Sequence, residues 1–221
     1  MESTNDYRPV SPLAVAALSA GACSAVALVT RFAWVVPLGG VALAVAALAE
    51  VGRPGAARAG RLLALAGLAL SLGFGGQAVT TAVVDRWILR HRAVTAAGIW
   101  IDAVREGRSP EALGVSAAAL LRTPRGPGEE RPEGVEERLA RFAALEPVQA
   151  VATCRGTRPR VTAAVPLGTD DGAWAVRASL EGCETGGTIR LIVLPKMVTS
   201  GKARVERWTI AAVDLEKESV D

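Results

Sequence analysis

The sequence predicts two parts in one chain: a membrane α-helical bundle of three spans, followed by an α+β soluble domain. Two observations predict this division. Residues 12–84 are apolar with short breaks, whereas charged residues are frequent from Asp85 onward. Within residues 85–221, helical periodicity comes first, and the alternating periodicity of strands begins after Glu146. Helices followed by strands are typical of an α+β domain, in which helices cover one face of an antiparallel sheet.

Three uncharged apolar runs indicate the membrane spans. About twenty apolar residues are needed to cross the hydrocarbon core of a bilayer, and the runs occupy residues 12–30, 32–49 and 62–84. The second run is marginal in length and the third is comfortable. Residues 1–11 are polar and predict a disordered tail. Glycine and alanine are frequent in the runs, which favours close packing of helices in lipid.

Two other interpretations of the apolar runs remain open. Residues 20–23 (AGAC) hint at a lipoprotein cleavage box, although position 20 is Ala where Leu is usual and the chain stays apolar after Cys23. The second alternative is a buried helical hairpin of a soluble protein. Such long uncharged runs would need a far larger protein to surround them, so we expect three spans.

The apolar segments resemble a small bacterial membrane domain of unknown function. The resemblance rests on residues 11–18 (SPLAVAAL), 34–43 (WVVPLGGVAL) and 60–70 (GRLLALAGLAL) and covers about residues 11–84. It implies a multi-pass protein of the bacterial cell membrane, and it implies no catalytic residues. The chain departs from the family at residues 50–52, where Glu-Val-Gly stands in place of a more basic helix end.

Basic residues near the span ends set the expected orientation. Each side of a three-span bundle carries four of them: Arg8, Arg53, Arg58 and Arg61 on one side, and Arg31, Arg86, Arg90 and Arg92 on the other. The short loop 53–61 is expected on the cytoplasmic side. The basic residues at 86–92 count less for the orientation, because they begin a helix of the soluble domain and can serve its fold. The soluble domain is therefore expected to be extracytoplasmic, with the lipid bilayer and an unidentified protein or envelope component as partners.

The soluble domain begins with helices and ends with strands. Helices are predicted at residues 85–106, 111–121 and 135–145, and the Pro-, Gly- and charge-rich residues 123–134 predict a mobile loop. Five strands of an antiparallel meander are predicted at residues 147–154, 160–167, 173–180, 188–194 and 204–214. Turn residues such as Thr185-Gly186-Gly187 separate them.

This order of elements resembles the nuclear transport factor 2-like fold, in which a curved, cone-shaped sheet wraps a helix and can enclose a pocket. Residues 205–210 (VERWTI) resemble its last strand, and the resemblance covers about residues 86–215. Enzymes with such cones use an Asp, His or Tyr in the cavity, which points to Asp102 and His91. The resemblance therefore implies a pocket in the second half of the chain.

Simpler interpretations of these two residues carry more weight. His91 lies between two arginines, as expected of a solvated basic face, and Asp102 has a possible partner at Arg105, three positions later in the helix. Trp100, Trp174 and Trp208 are expected to pack in a core or, with Asp102, to line a pocket. No Gly-rich phosphate loop and no paired metal ligands occur in the sequence, so no catalytic site, cofactor or metal is predicted.

Cysteine usage and net charge add two expectations. Cys154 and Cys183 lie in the soluble part, where they either form a disulfide in an oxidising compartment or serve as two small apolar side chains. The 25 Lys and Arg residues against 22 Asp and Glu residues are spread thinly, which predicts no nucleic-acid partner.

Two functional classes follow from the sequence. The first, which we favour, is a membrane-tethered binding or scaffolding module. The second is a cone-type enzyme or small-ligand binder at the membrane. A crevice holding Asp102 and a tryptophan would favour the second class, whereas a solid aromatic core would argue against it. A purely structural membrane protein is a third possibility.

Overall fold

A computed structural model of the chain describes residues 9–28, 35–53, 59–121, 134–154, 157–168, 172–184, 186–200 and 203–216. Contacts divide the chain into two compact units, Met1–Arg86 and Trp87–Asp221. The described part of the first unit is helical, whereas that of the second combines helices with a sheet. The expected α+β fold is therefore confirmed for the second half of the chain.

The described part of the first unit contains three apolar helices. Helix α1 is Pro12–Cys23 and is followed by a 3₁₀ turn at Ser24–Leu28, α2 is Val35–Val51, and α3, Arg61–Arg105, begins in this unit. Pro12 suits the first turn of α1, because its missing N–H has no intrahelical partner to lose.

The predicted tail at residues 1–11 lies partly outside the described residues, which begin at Pro9. Val10 forms an isolated bridge with Ala59. The buried Ser11 donates its hydroxyl to Oε2 of Glu50 at 2.9 Å. The last residues of this segment are therefore held by contacts within the first unit.

By length and composition, α3 is the one helix of the described chain that could cross a membrane. Residues 12–28 and 35–51 are shorter apolar helices, and residues 29–34 between them lie outside the described residues. The described residues thus contain one candidate membrane helix, whereas the three-span bundle remains a prediction.

Glycines bring the backbones of α1 and α3 into direct contact. A Cβ atom built on Gly21 would lie 2.6 Å from the carbonyl oxygen of Gly67, and one built on Gly67 would lie 2.5 Å from that of Ala17. Real Cβ atoms essentially never approach other atoms so closely. Only glycine fits at these two positions, and this accounts for part of the glycine content of the apolar runs.

We expect Gly67→Ala to destabilise the helix packing of the first unit by about 1–3 kcal/mol, because the added methyl group forces α1 away from α3. Gly73→Ala is the matched control, since nothing lies within 4 Å of a Cβ atom built there, and alanine favours a helix over glycine. Thermal unfolding of the purified protein, followed by circular dichroism, measures both effects. Equal melting temperatures for the two variants would contradict the close contact.

In the second unit, α3 ends at Arg105 and is followed by short helices. These are α4 at Ser109–Gly114, a 3₁₀ turn at Ala118–Leu121, α5 at Val135–Ala143 and α6 at Glu146–Ala152. The mobile loop predicted at residues 123–134 lies, except for Gly134, outside the described residues.

Within the described residues, the sheet of the second unit has four antiparallel strands in the order β1-β2-β3-β4. They are β1 at Arg160–Pro166, β2 at Trp174–Ser179, β3 at Thr188–Ser200 and β4 at Ala203–Glu216. The prediction of an antiparallel meander is confirmed. β3 extends beyond its predicted end at Leu194, because the strand continues to pair with β4 after its pairing with β2 stops at Val193.

Of the five predicted strands, the first, at residues 147–154, is wrong, because these residues form most of α6. Pro147 has no N–H to donate to a sheet ladder, but it fits the first turn of a helix. Val148 and Val151 are three positions apart and both are buried, so they share one face of the helix. The apparent alternation of this segment was therefore helical periodicity.

The core of the second unit is continuous and rich in large apolar side chains. Trp100, Phe142, Leu180, Leu191 and Ile210 are among its fully buried members. A disulfide between Cys154 and Cys183, with Cα atoms 4.6 Å apart, joins the end of α6 to the turn after β2. Cys154 also belongs to this core, where it is 1% exposed.

Candidate binding groove beside the first strand

An open groove of about 630 Å³ lies between α3 and the beginning of β1. One wall is formed by residues of α3 between Val94 and Asp102, spaced so that several share one helix face. The segment 158–161, which leads into β1, forms the other wall. Apolar side chains from both walls, such as Ile99 and Val161, line the groove beside charged ones.

Gly98 keeps the helical wall of this groove open. The nearest atom to a Cβ built at this position is Nη2 of Arg158, at 3.9 Å, which is an ordinary van der Waals distance. An alanine would therefore fit, whereas a larger side chain would enter the groove. The neighbouring Ile99 is 54% exposed and offers an apolar contact surface.

Asp102 and Arg158 form a bidentate ion pair across the groove. Arg158 donates from Nε to Oδ1 of Asp102 at 3.0 Å and from Nη2 to Oδ2 at 2.6 Å. The two side chains are 25% and 63% exposed, so the pair contributes only about 0.2–1 kcal/mol to stability. Its main effect is geometric, because the two hydrogen bonds orient the guanidinium of Arg158 close to Gly98.

β1 is an edge strand of the sheet. Within the described residues it pairs with β2 alone, and its outer edge has no strand partner. A bulge at Thr162 interrupts the pairing, and the Thr162 hydroxyl donates to the carbonyl oxygen of Arg177 at 3.3 Å. Bulges and charged residues such as Arg160 limit uncontrolled pairing of edge strands. On the outer edge of β1, the stretch between Ala163 and Val165 has no strand partner within the described residues.

Of the four residues predicted to line a pocket, only Asp102 lines this groove. Trp100 is completely buried and packs edge-on against Phe142, with ring centroids 6.2 Å apart. Trp174 is buried at the start of β2, and Trp208 is partly buried against the same core. Their large apolar surfaces are used for packing, which was the alternative role predicted for these tryptophans.

His91 is not among the residues that line the groove. It is exposed and stacks on Trp87, with ring centroids 5.9 Å apart and an interplanar angle of 12°. In the described ranges, no group of three or more His, Cys, Asp or Glu side chains could hold a metal ion.

Sequence reasoning missed Arg158 and Arg160 as residues of the groove. It paired Asp102 with Arg105, whose Nη2 lies 3.8 Å from Oδ1, but Arg158 makes the closer contacts. Asp102 and Arg158 are far apart in the sequence, so no helix spacing relates them. The available signal was the Arg-Pro-Arg run directly before a predicted strand.

The second unit is thus an α+β domain with an open groove next to a sheet edge that has no strand partner in the described part of the chain. Comparison of the chain with protein-family models, with curated proteins and with solved structures gives no match. The resemblances to a small bacterial membrane domain and to the nuclear transport factor 2-like fold therefore stay predictions.

Proposed function

We propose that this protein is a membrane-anchored binding or scaffolding protein whose α+β domain holds an extended segment of a protein partner. The observation that carries the proposal is the groove between α3 and β1, which is open and lies beside an unpaired strand edge. Extended peptides commonly bind by adding a strand to such an edge, with neighbouring pockets selecting alternate side chains.

The composition of the groove describes the segment that would fit. Ile99 and Val161 offer apolar contacts. Arg158 and Arg160 outnumber Asp102 among the charged lining residues, which favours a ligand with an acidic side chain. The bulge at Thr162 and Pro166 at the end of β1 leave room for a few backbone hydrogen bonds, so we expect recognition of a short segment.

The inverted packing of the first unit supports attachment to a membrane. Its fully buried apolar residues are small, namely Ala14, Ala17, Ala44, Ala47 and Ala64. Many of its large apolar side chains face outward instead, including Leu38, Leu62, Leu72, Val79 and Val83, which are 58–82% exposed. Small residues inside and large apolar residues outside are favourable in lipid, whereas water penalises an apolar surface of this extent.

We retain three spans and an extracytoplasmic domain as part of this proposal. Reporter fusions after Asp221 test the orientation. One reporter is alkaline phosphatase, which is active only outside the cytoplasm, and the other is a fluorescent protein that matures only in the cytoplasm. Phosphatase activity alone supports an odd number of spans from a cytoplasmic N-terminus. Fluorescence alone would reverse the orientation and direct the search for partners to the cytoplasm.

The enzyme alternative finds less support at this site. A general base needs a carboxylate that is free to accept a proton from the substrate, whereas both oxygens of Asp102 accept hydrogen bonds from Arg158. The tryptophans expected to line a cavity pack in the core. These contacts favour a binding module over a cone-type enzyme.

Linear peptides selected from a random library against the purified full-length protein test the groove. We expect Gly98→Leu to weaken their binding by about tenfold or more, because the leucine side chain occupies the space of the ligand. Gly98→Ala is the matched control and should bind as the parent protein does. It should also be more stable by up to about 1 kcal/mol, because alanine favours a helix.

N-methylation of alternate backbone nitrogens of a selected peptide separates strand addition from side-chain docking. Successive N–H groups of a strand point to opposite sides. Methylation of the nitrogens that face β1 should therefore abolish binding, whereas methylation of those that face away should have little effect. Peptides that bind Gly98→Leu as well as the parent protein would show that the groove is not their site.

A further inference from the structure

The β3–β4 hairpin extends well beyond the rest of the sheet. Pairing of β2 with β3 stops at Val193, whereas β3 and β4 remain paired to Ser200 and Ala203. We call residues 194–200 and 203–209 the distal ribbon. This two-stranded ribbon has no third strand beside it within the described residues.

The distal ribbon combines exposed basic and exposed apolar side chains. Lys196, Arg204 and Arg207 are exposed, while Met197 is 62% and Val205 is 51% exposed. Lys196 lies directly opposite Arg207, and like charges at directly opposed positions destabilise an isolated sheet. An anionic partner would remove this repulsion.

Two contacts establish how β4 runs relative to α3. Trp100 donates from Nε1 to Oγ of Ser116 at 3.1 Å, and Ser116 forms a bridge with Ile210 of β4. Arg92 precedes Trp100 by eight residues in α3, and Glu206 precedes Ile210 by four residues in β4. Nη1 of Arg92 lies 2.8 Å from Oε2 of Glu206. These separations correspond to about 12 Å of helix and about 13 Å of strand. β4 therefore runs alongside α3 in the same direction.

The tip of the distal ribbon consequently reaches the level of Trp87. From Glu206 to Ala203 the strand covers a further ~10 Å, and Trp87 precedes Arg92 by about 7.5 Å along the helix. Trp87 is 66% exposed and lies three residues after Val84, the end of the long apolar run, a position at which tryptophan is typical of a membrane interface. Arg90 adds an exposed positive charge on the same stretch of helix.

We infer that the distal ribbon binds the anionic headgroups of the bilayer that anchors the protein. This inference rests on the proposed membrane attachment, and it assigns a lipid-binding surface to residues distinct from the groove. Basic side chains near an anionic surface are attracted within about a Debye length. Val198 and Val205, which are paired on one face close to the tip, add apolar contact with the interfacial region.

A fluorophore on the ribbon, quenched by nitroxide-labelled lipids, tests this inference. The fluorophore is attached to Val205→Cys in the full-length protein. Cys23→Ser removes the free cysteine, so that only position 205 is labelled. The labelled protein is reconstituted in vesicles of phosphatidylcholine with or without phosphatidylglycerol. We expect strong quenching in the anionic vesicles. Quenching should decrease in neutral vesicles, and also when salt is raised from about 0.1 M to about 1 M, where the Debye length shrinks to about 3 Å.

Val135→Cys provides the control label. Val135 is 69% exposed and begins α5, whose Phe142 contacts Trp100. Trp100 lies about 20 Å beyond Trp87 along α3, so a label at position 135 should remain unquenched. Replacing Lys196, Arg204 and Arg207 together with glutamine should reduce quenching at Val205→Cys to the level of this control. Circular dichroism checks that the triple variant stays folded. If it does not fold, the lipid and salt comparisons still test the inference, because they use the protein with its basic residues intact.

Flotation of the vesicles separates the two proposals. Protein that does not float with the lipid overturns both the membrane attachment and the lipid-binding ribbon. Protein that floats, but whose label at position 205 is no better quenched than the one at position 135, overturns the ribbon inference alone and leaves a protein partner as the occupant of this surface. Equal quenching in neutral and anionic vesicles would overturn the role of the headgroup charge.

Discussion

Replacing Trp100 with alanine is expected to lower the free energy of unfolding of the second unit by about 3–5 kcal/mol, the range typical of a large aromatic residue removed from a core. Trp100 is completely buried and makes an edge-on contact with Phe142. Its Nε1 also donates a hydrogen bond to Oγ of Ser116. The substitution thus creates a cavity where α3 meets the rest of the core and removes a polar link to the segment after α4.

Urea unfolding followed by far-ultraviolet circular dichroism measures this loss. Trp87→Ala is the matched control, because Trp87 is 66% exposed and its removal should change stability by about 0.5 kcal/mol or less. Trp100→Phe should lie between the two, since it keeps most of the apolar volume but loses the indole donor. A Trp100→Ala protein of parental stability that no longer binds ligand would instead indicate a pocket-lining role.

Removal of the disulfide between Cys154 and Cys183 should destabilise the second unit by about 3–4 kcal/mol, as the loop-closure entropy model gives for its sequence separation of 29 residues. The bond joins α6 to the turn that leads from β2 into β3. Without it, the unfolded chain gains conformational freedom and the C-terminal end of α6 loses a covalent link to the sheet.

Cys154→Ala combined with Cys183→Ala tests this effect in chemical denaturation, and reduction of the parent protein with dithiothreitol tests it without substitution. Cys23→Ser is the control, because Cys23 is free and exposed. Both ways of removing the bond should lower the unfolding midpoint by similar amounts. If reduction leaves the midpoint unchanged, the bond does not stabilise the fold, as expected of a protein that works in a reducing compartment.

Local sequence patterns were sufficient for the class of the second unit and for most of its strands. Alternating apolar residues and glycine-containing turns located β1, β2 and the first half of β3, because a strand with one covered face repeats every two residues. The same reasoning failed at residues 147–154, where α6 forms. Over so short a segment, valines and alanines fit both periods, and Pro147 was the better signal for a helix start.

The candidate site was less accessible to sequence reasoning than the fold. Asp102 was singled out, but its partner Arg158 follows α4, α5 and α6 in the chain and is brought to Gly98 only when β1 packs beside α3. No periodicity relates residues on separate elements. The same limit applies to Trp100, because its place in the helical periodicity was compatible with a role in either a pocket or the core.

The sequence by itself determined the apolar character of the first unit, the α+β class of the second and the antiparallel order of its strands, because these depend on short-range periodicity and composition. Only the tertiary structure decided that the tryptophans pack inside, that a groove opens at Gly98, and that the distal ribbon runs alongside α3 toward Trp87. These features depend on contacts between residues distant in the chain, and such contacts exist only once the helices and the sheet have packed together.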